Sequence, residues 1–149
     1  MKIKQYDLVI FDWDGTLMDS IGKIITCIEN MAKALQLPIP TESDIRDIIG
    51  LSMTEALRVL FPQGLNCSAS SVYSQPLHSN NAFCQGEDDQ YQQMRVEFKA
   101  QYLHLDTTPT PLFVQTPALI DDLHSQGYKL AVATGKARAG LDRVFEQTG

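Results

Sequence analysis

The sequence predicts an α/β protein in which a parallel sheet is interrupted by a run of helices. Two short apolar runs, "YDLVIF" at 6–11 and "YKLAVAT" at 128–134, each end in polar residues and lead toward a helical pattern. Strands buried on both faces of a parallel sheet read this way. Between them, from 18 to 105, apolar residues recur mostly at three- and four-residue spacing, the period of amphipathic helices. Parallel sheets bind ligands at the carboxyl edge of their strands, so the residues that follow each run are the candidates for chemistry.

Each element follows from its residues. After the first strand, Ile21, Ile24, Ile25, Ile28, Met31, Ala32 and Leu35 mark one face of a helix, with Asp19 or Ser20 as its N-cap. "LPIP" at 37–40 stops it, and Thr41 caps a shorter second helix that ends at Gly50. "SMTE" at 52–55 is a capping-box pattern, opening a third helix with Met53, Ala56, Leu57, Leu60 and Phe61 apolar. No Asp, Glu, Lys or Arg lies between Arg58 and Glu87, and residues 62–86 are rich in Ser, Asn, Gln, Pro and Gly, which predicts a long irregular loop. Helical spacing resumes with Tyr91, Met94, Phe98, Tyr102 and Leu105, a stripe expected to pack as core. "DTTPTP" at 106–111 reads as a connector. Thr116 is expected to cap the next helix with Pro117 in its first turn, and Gly127 to end it. The second strand and a final helix through "GKARAGLDRVFEQTG" follow.

The bulk numbers narrow the function classes. With 149 residues, 44% hydrophobic and 20% charged, the chain is expected to fold around a real core. A net charge of −6 argues against nucleic acid or an anionic membrane as partner, and no apolar run reaches the length of a membrane span. Lys2 and Lys4 precede an apolar stretch, but Asp7 and Asp12 interrupt it, unlike a signal peptide. Three cysteines, Cys27, Cys67 and Cys84, form no C-x-x-C pair; the odd count predicts reduced thiols and a cytoplasmic protein. Cys67, His78 and Cys84 share the uncharged loop but match no zinc spacing. His104 and His124 read as structural or solvated, and Asp121–Asp122 as a polar helix face.

The first strand runs into "DWDGT" at 12–16, two carboxylates one residue apart. Asp-x-Asp-Gly is good turn chemistry by itself. A calcium loop fails, because counting from Asp12 puts Leu17 where Gly belongs and Lys23 where a bidentate Glu is needed. The remaining reading gives each acid a task. One carboxylate at a strand end can attack phosphorus, with a divalent cation offsetting the repulsion between anions. The second can protonate the leaving oxygen and later deprotonate water. Gly15 permits the tight turn, and amides near it, free of other partners, could hold phosphate oxygens.

"VIFDWDGTLMDS" at 9–20 resembles the first motif of the haloacid dehalogenase superfamily in its phosphatase branch, and is most similar to phosphoglycolate-phosphatase-like members. The resemblance implies a Rossmann-like core, residues 1–17 and 107–149, with an α-helical cap inserted at 18–106. It makes Asp12 the nucleophile and a magnesium ligand. Asp14 becomes the general acid/base, offering its carbonyl to the metal. Gly15 and Thr16 lie in the phosphate-binding turn. "LAVATGK" at 130–136 resembles the second motif, with Thr134, Gly135 and the start of the following helix as phosphate-binding elements. "TGK" is not a P-loop, since the earlier Gly is missing and Ala137 stands where Ser or Thr is required. "GLSMTEAL" at 50–57 resembles a cap loop that reaches toward substrate, although a plain helix cap explains it equally well.

The family's third and fourth motifs, a charge-balancing Lys and an acidic pair, have no counterpart before Gly149, so a truncated chain is expected. Lys136 is the candidate to stand in for that Lys, against the commoner case of a solvated helix-start Lys. Trp13 is expected to pack beside the site or to shape access to it. The implied activity is magnesium-dependent hydrolysis of a small phosphorylated metabolite through phospho-Asp12. The alternatives are a phosphomutase, and a catalytically silent remnant that binds phosphate or a partner. An uncovered strand edge would favour self-association.

Overall fold

The computed structural model describes residues 6–66 and 87–148. Two four-residue strands, β1 (Leu8–Phe11) and β2 (Lys129–Val132), pair in parallel, with Leu8 opposite Lys129 and Phe11 opposite Val132. The ladder continues at both ends: the Lys129 amide donates to the Asp7 carbonyl at 2.8 Å and the Ala133 amide to the Phe11 carbonyl at 2.9 Å. The expected parallel pairing holds; the expected burial on both faces does not. Val9 and Phe11 are half-buried, whereas Leu8 and Ile10 on the opposite side are 47% and 56% exposed, as is Val132 at 41%. Successive strand side chains point to opposite faces, and on one face the described residues provide no cover.

Helices fill the space between the strands. They are α1 (Ile21–Ala34), α2 (Glu42–Asp47), α3 (Met53–Leu60), a 3₁₀ turn (Gly64–Asn66), α4 (Glu87–Ala100), a π-helical turn (Gln101–Leu105) and α5 (Thr116–Ser125); α6 (Arg138–Thr148) follows β2. The capping box expected at Ser52 forms, and the Thr41 cap proves to be a second one. Thr41 and Asp44 bond reciprocally at the start of α2, and Ser52 and Glu55 at the start of α3. Three termini differ from expectation. α1 ends before the prolines: Gln36 adopts φ +55°, its amide donates to the Lys33 carbonyl, and the Leu37 amide reaches back to Ala32 at 2.8 Å. That is a Schellman closure, and it turns Leu37 into the core. α5 is preceded by Gln115 at the N-cap, so Thr116 is its first residue and not its cap. The Thr116 hydroxyl instead donates to the Leu17 carbonyl at 3.2 Å. α2 stops at Asp47, with a turn carrying the chain to Gly50.

Two hydrophobic clusters result. The larger joins Cys27, Ile28, Met31 and Ala32 of α1 to Ile45 of α2, Leu57 of α3 and Met94 and Phe98 of α4. The smaller joins Trp13, Leu17, Met18 and Val144, with Phe11, Leu112, Ile120 and Leu141 packed against them. Backbone bonds tie the segment after β1 to the one before α5: Asp19 donates to Pro111 at 2.8 Å and Phe113 to Leu17 at 3.0 Å. Of the long uncharged segment, 67–86, with Cys67, His78 and Cys84, lies outside the described residues. Among the described residues no helix is long and apolar enough to cross a membrane.

Candidate active site

Because β1 and β2 run in parallel, Asp12 and Thr134 leave the same edge of the sheet, two residues beyond Ile10 and Val132. The Trp13 amide donates to Asp12 Oδ1 at 2.7 Å and so fixes the plane of that carboxylate. The chain then doubles back. The Trp13 carbonyl accepts from the amides of Thr16 (3.3 Å), Leu17 (3.0 Å) and Met18 (3.1 Å), and the Gly15 amide donates to the Met18 carbonyl at 2.8 Å. Gly15 sits at φ +76°, which favours glycine, and a Cβ there would press at 3.0 Å on Ile21 Cδ1, the flexible end of that side chain. The amides of Gly15 and Thr16 are therefore consumed by the turn they make. The expectation that they stand free for phosphate does not hold. Among the described residues the amides of Asp14 and Gly135 carry no hydrogen bond.

Ser20 and Lys136 contact Asp14 directly, and Tyr102 and Thr134 join the cluster through Lys136. Ser20, at the N-cap of α1 and fully buried, does not cap its helix; its hydroxyl donates to Asp14 Oδ1 at 2.7 Å. Lys136 Nζ lies 3.0 Å from Asp14 Oδ1 and 3.3 Å from Oδ2, and donates to the Tyr102 hydroxyl at 2.9 Å. The Lys136 amide donates to Thr134 Oγ1 at 3.1 Å, which ties the second strand end to the same cluster. Only 9% of the Lys136 side chain is exposed, so the solvated helix-start lysine is ruled out. Burial pushes the Lys136 ammonium down, but Tyr102 and Asp14 beside it outweigh that and hold it above its usual range. Burial pushes the Tyr102 phenol up despite the neighbouring ammonium. At neutral pH the pair is a phenol and an ammonium.

Tyr102 was placed by its spacing in the core stripe, and its ring does stack on Phe98, with centroids 5.7 Å apart. Its polar tip is what the stripe concealed. The π-helical turn, in which the Asp106 amide reaches the Gln101 carbonyl at 2.8 Å, shifts the register after Ala100. Tyr102 stays against the cluster while Leu105 turns out to 63% exposure. A π-turn of this kind often accompanies a functional position. The only signal in the sequence was an aromatic with a hydroxyl at the end of an apolar stripe.

The loop before α3 also reaches the site. Gly135 packs so closely on it that a Cβ would stand 2.4 Å from the Leu51 carbonyl oxygen and 3.0 Å from that of Gly50. "GLSMTEAL" is thus both a helix cap and an approach to the strand-end residues. Between the two lies a cavity of about 340 Å³ with Asp14, Gly135 and Lys136 at one end and side chains of α1, α3 and α4 around the rest. Nearby, Lys23 is buried with its Nζ 2.7 Å from the Asp106 carbonyl and 3.4 Å from Asp106 Oδ1, joining α1 to the connector. Burial raises the Asp106 carboxyl, but hydrogen bonds from Thr108 and the Lys23 ammonium prevail and hold it below the usual range.

Other singled-out residues stand apart. Trp13 is buried, meets Phe145 edge-on at 5.3 Å and packs beneath the turn without shaping access; its Nε1 has no hydrogen-bond partner. His104, His124, Asp121 and Asp122 are exposed. Among the described residues no three His, Cys, Asp or Glu side chains group as a metal cluster. Asp12 and the Asp14 carbonyl are hard oxygen donors of the type magnesium takes, an ion often held by one or two carboxylates plus waters and substrate oxygens.

The sequence matches the model of the haloacid dehalogenase-like hydrolase family over residues 9–149. It is 25% identical over 147 residues to the phosphoglycolate phosphatase of Vibrio cholerae, covering 99% of this chain and 58% of that protein. It is 30% identical over 142 residues to the tyrosine-protein kinase PtkA of Mycobacterium tuberculosis, covering 95% of this chain and 40% of that one. The fold is similar to that of a hydrolase from Pseudomonas syringae, with a TM-score of 0.68, 19% identity and coverage of 96% and 55% of the two chains. The chain thus spans between 40% and 58% of the length of these three proteins. On the family match and the strand-end geometry together, it belongs to the haloacid dehalogenase-like hydrolases.

Proposed function

We propose that this chain acts as a magnesium-dependent phosphatase of small phosphate monoesters, with Asp12 as nucleophile. The observation that carries the reading is the convergence of Asp12, Asp14, Thr134 and Lys136 at one edge of the parallel strand pair. In this scheme residues 1–17 and 107–149 form the core and 18–106 the cap. An Asp12 carboxylate oxygen attacks phosphorus, the bond from phosphorus to the ester oxygen breaks, and Asp14, entering as the acid, gives its proton to the departing alcohol. Asp14 then takes a proton from water, whose oxygen attacks the phospho-Asp12 phosphorus and releases inorganic phosphate. The Trp13 amide orients Asp12, and Ser20 and Lys136 orient Asp14. Thr134, the Gly135 amide and the Lys136 ammonium face the phosphoryl oxygens, where a preorganised positive charge counts most. Asp12 and the Asp14 carbonyl would hold magnesium, which would supply charge neutralisation for the approach of two anions.

The test is release of phosphate from p-nitrophenyl phosphate with and without magnesium. Activity is expected to fall to background in Asp12→Asn and by about 100-fold or more in Asp14→Asn. Equal activity in wild type and Asp12→Asn would remove the reading. Transfer of the phosphoryl group to a second hydroxyl of the substrate, without release of phosphate, would favour the mutase. No activity together with retained phosphate binding would favour the silent binding module.

A further inference from the structure

We infer that the alcohol half of the substrate is apolar and bulky, an aryl or branched alkyl group of roughly six to ten carbons, and not a short carboxylate such as glycolate. The inference rests on the phosphatase reading only for what occupies the polar end of the cavity. Beyond Asp14 and Lys136 the cavity is walled by Ile24, Ile28, Ile48, Ile49, Met53 and Phe98. Its volume of about 340 Å³ matches the lower range of pockets for whole organic ligands and far exceeds the need of a two-carbon acid. A carboxylate seated there would lose its hydration and require a cation in exchange.

Two other cations border the cavity on its α4 side. Arg95 Nη1 donates to Thr54 Oγ1 at 2.9 Å and Nη2 to Gln92 Oε1, so both terminal nitrogens already hold acceptors. Lys99 is exposed. The remaining charge, Lys136, is engaged by Asp14 and Tyr102 at the phosphoryl end. Between the charged end at Lys136 and these α4 cations the cavity offers a stretch of apolar wall for what the phosphate is attached to. Ile49 is the residue through which to test this, because it lines the cavity but stands outside the buried helical cluster.

The experiment is calorimetric titration of the chain with inorganic phosphate, 2-phosphoglycolate and 1-naphthyl phosphate. The naphthyl ester is expected to bind at least about 30-fold more tightly than either of the others, from the ring area removed from water. Ile49→Asp should weaken the naphthyl ester about 10-fold or more and leave inorganic phosphate unchanged. Should Ile49→Asp fail to fold by circular dichroism, Ile49→Thr serves with a smaller loss in the same direction. The inference is overturned if 2-phosphoglycolate binds as tightly as the naphthyl ester, or if a folded Ile49 variant binds both aromatic ester and phosphate as wild type does. Preference for the aromatic ester without any hydrolysis would defeat the phosphatase reading and leave this one standing. Hydrolysis without that preference would do the reverse.

Discussion

The helical region and the strand pair solve the same problem to different degrees. In the helices, Cys27, Met31, Ala32, Ile45, Leu57 and Met94 have no exposed surface, and each comes from an amphipathic face that finds another face opposite. In the strands, Leu8 and Ile10 look out from one side of a two-stranded ladder, and Val132 is exposed on the other. The difference follows from where each element finds its hydrogen bonds. A helix satisfies its backbone internally and needs only one apolar stripe covered. A strand needs a neighbour at its edges and cover on each apolar face, and a pair alone is marginal. Catalytic candidates sit where the two regions join, so the better-packed region supplies Ser20 and Tyr102 to acids and cations that the strands deliver.

The sharpest way to break this comparison is to cut into the helical cluster. Met31→Ala, at a site with no exposure, should cost about 2–5 kcal/mol by urea unfolding; a loss under about 1 kcal/mol would mean that the helices do not share one core. The same region should also be the more alkali-sensitive. Burial, with Asp106 adding to it, pushes the Cys27 thiol from 9.0 up to about 12. A group whose pKa is higher in the fold holds its proton longer there, so its stabilising effect is complete below pH 9.0 and fades as pH rises toward about 12. Melting temperature should fall across that window, and Cys27→Ala should make the fall shallower; an unchanged slope would assign it elsewhere, with Lys136 and Tyr102 next in line because their raised values act in the same direction.

The joint between the regions is probed by Gly135→Ala, whose Cβ would meet the Leu51 carbonyl at 2.4 Å. A loss of about 1–3 kcal/mol is expected, with weakened phosphate binding as the loop before α3 backs away. A neutral result would show that this loop is free to retreat. Least affected should be the open strand face: Ile10→Ala is expected to change stability by no more than about 0.5 kcal/mol. A loss above about 2 kcal/mol, dependent on protein concentration, would show the face covered by a second copy, as the uncovered strand edge suggested.

What could be read along the chain was local. Thr41 with Asp44 and Ser52 with Glu55 are capping patterns complete within four residues, and both form. The apolar runs ending at Asp12 and Thr134 marked the strand ends because a parallel register brings such ends to one edge. Gly127, at φ +76°, closes α5 as its position suggested. Errors arose where a local rule had a distant competitor. Ser20 is a good N-cap by type, but its hydroxyl goes to Asp14; Thr116 is one as well, but it serves the Leu17 carbonyl.

Residue types and spacings by themselves determined the helices, the parallel pair and the two acids, since each depends on period or on a motif within a few positions. Only the tertiary structure decided that Lys136 is buried against Asp14, that Tyr102 completes that pair, and that the cavity beside them is apolar. Residues 14, 20, 102 and 136 share no local pattern. Their meeting depends on the crossing of α1 and α4 and on the π-turn that re-aims Tyr102, which the packing of whole elements sets.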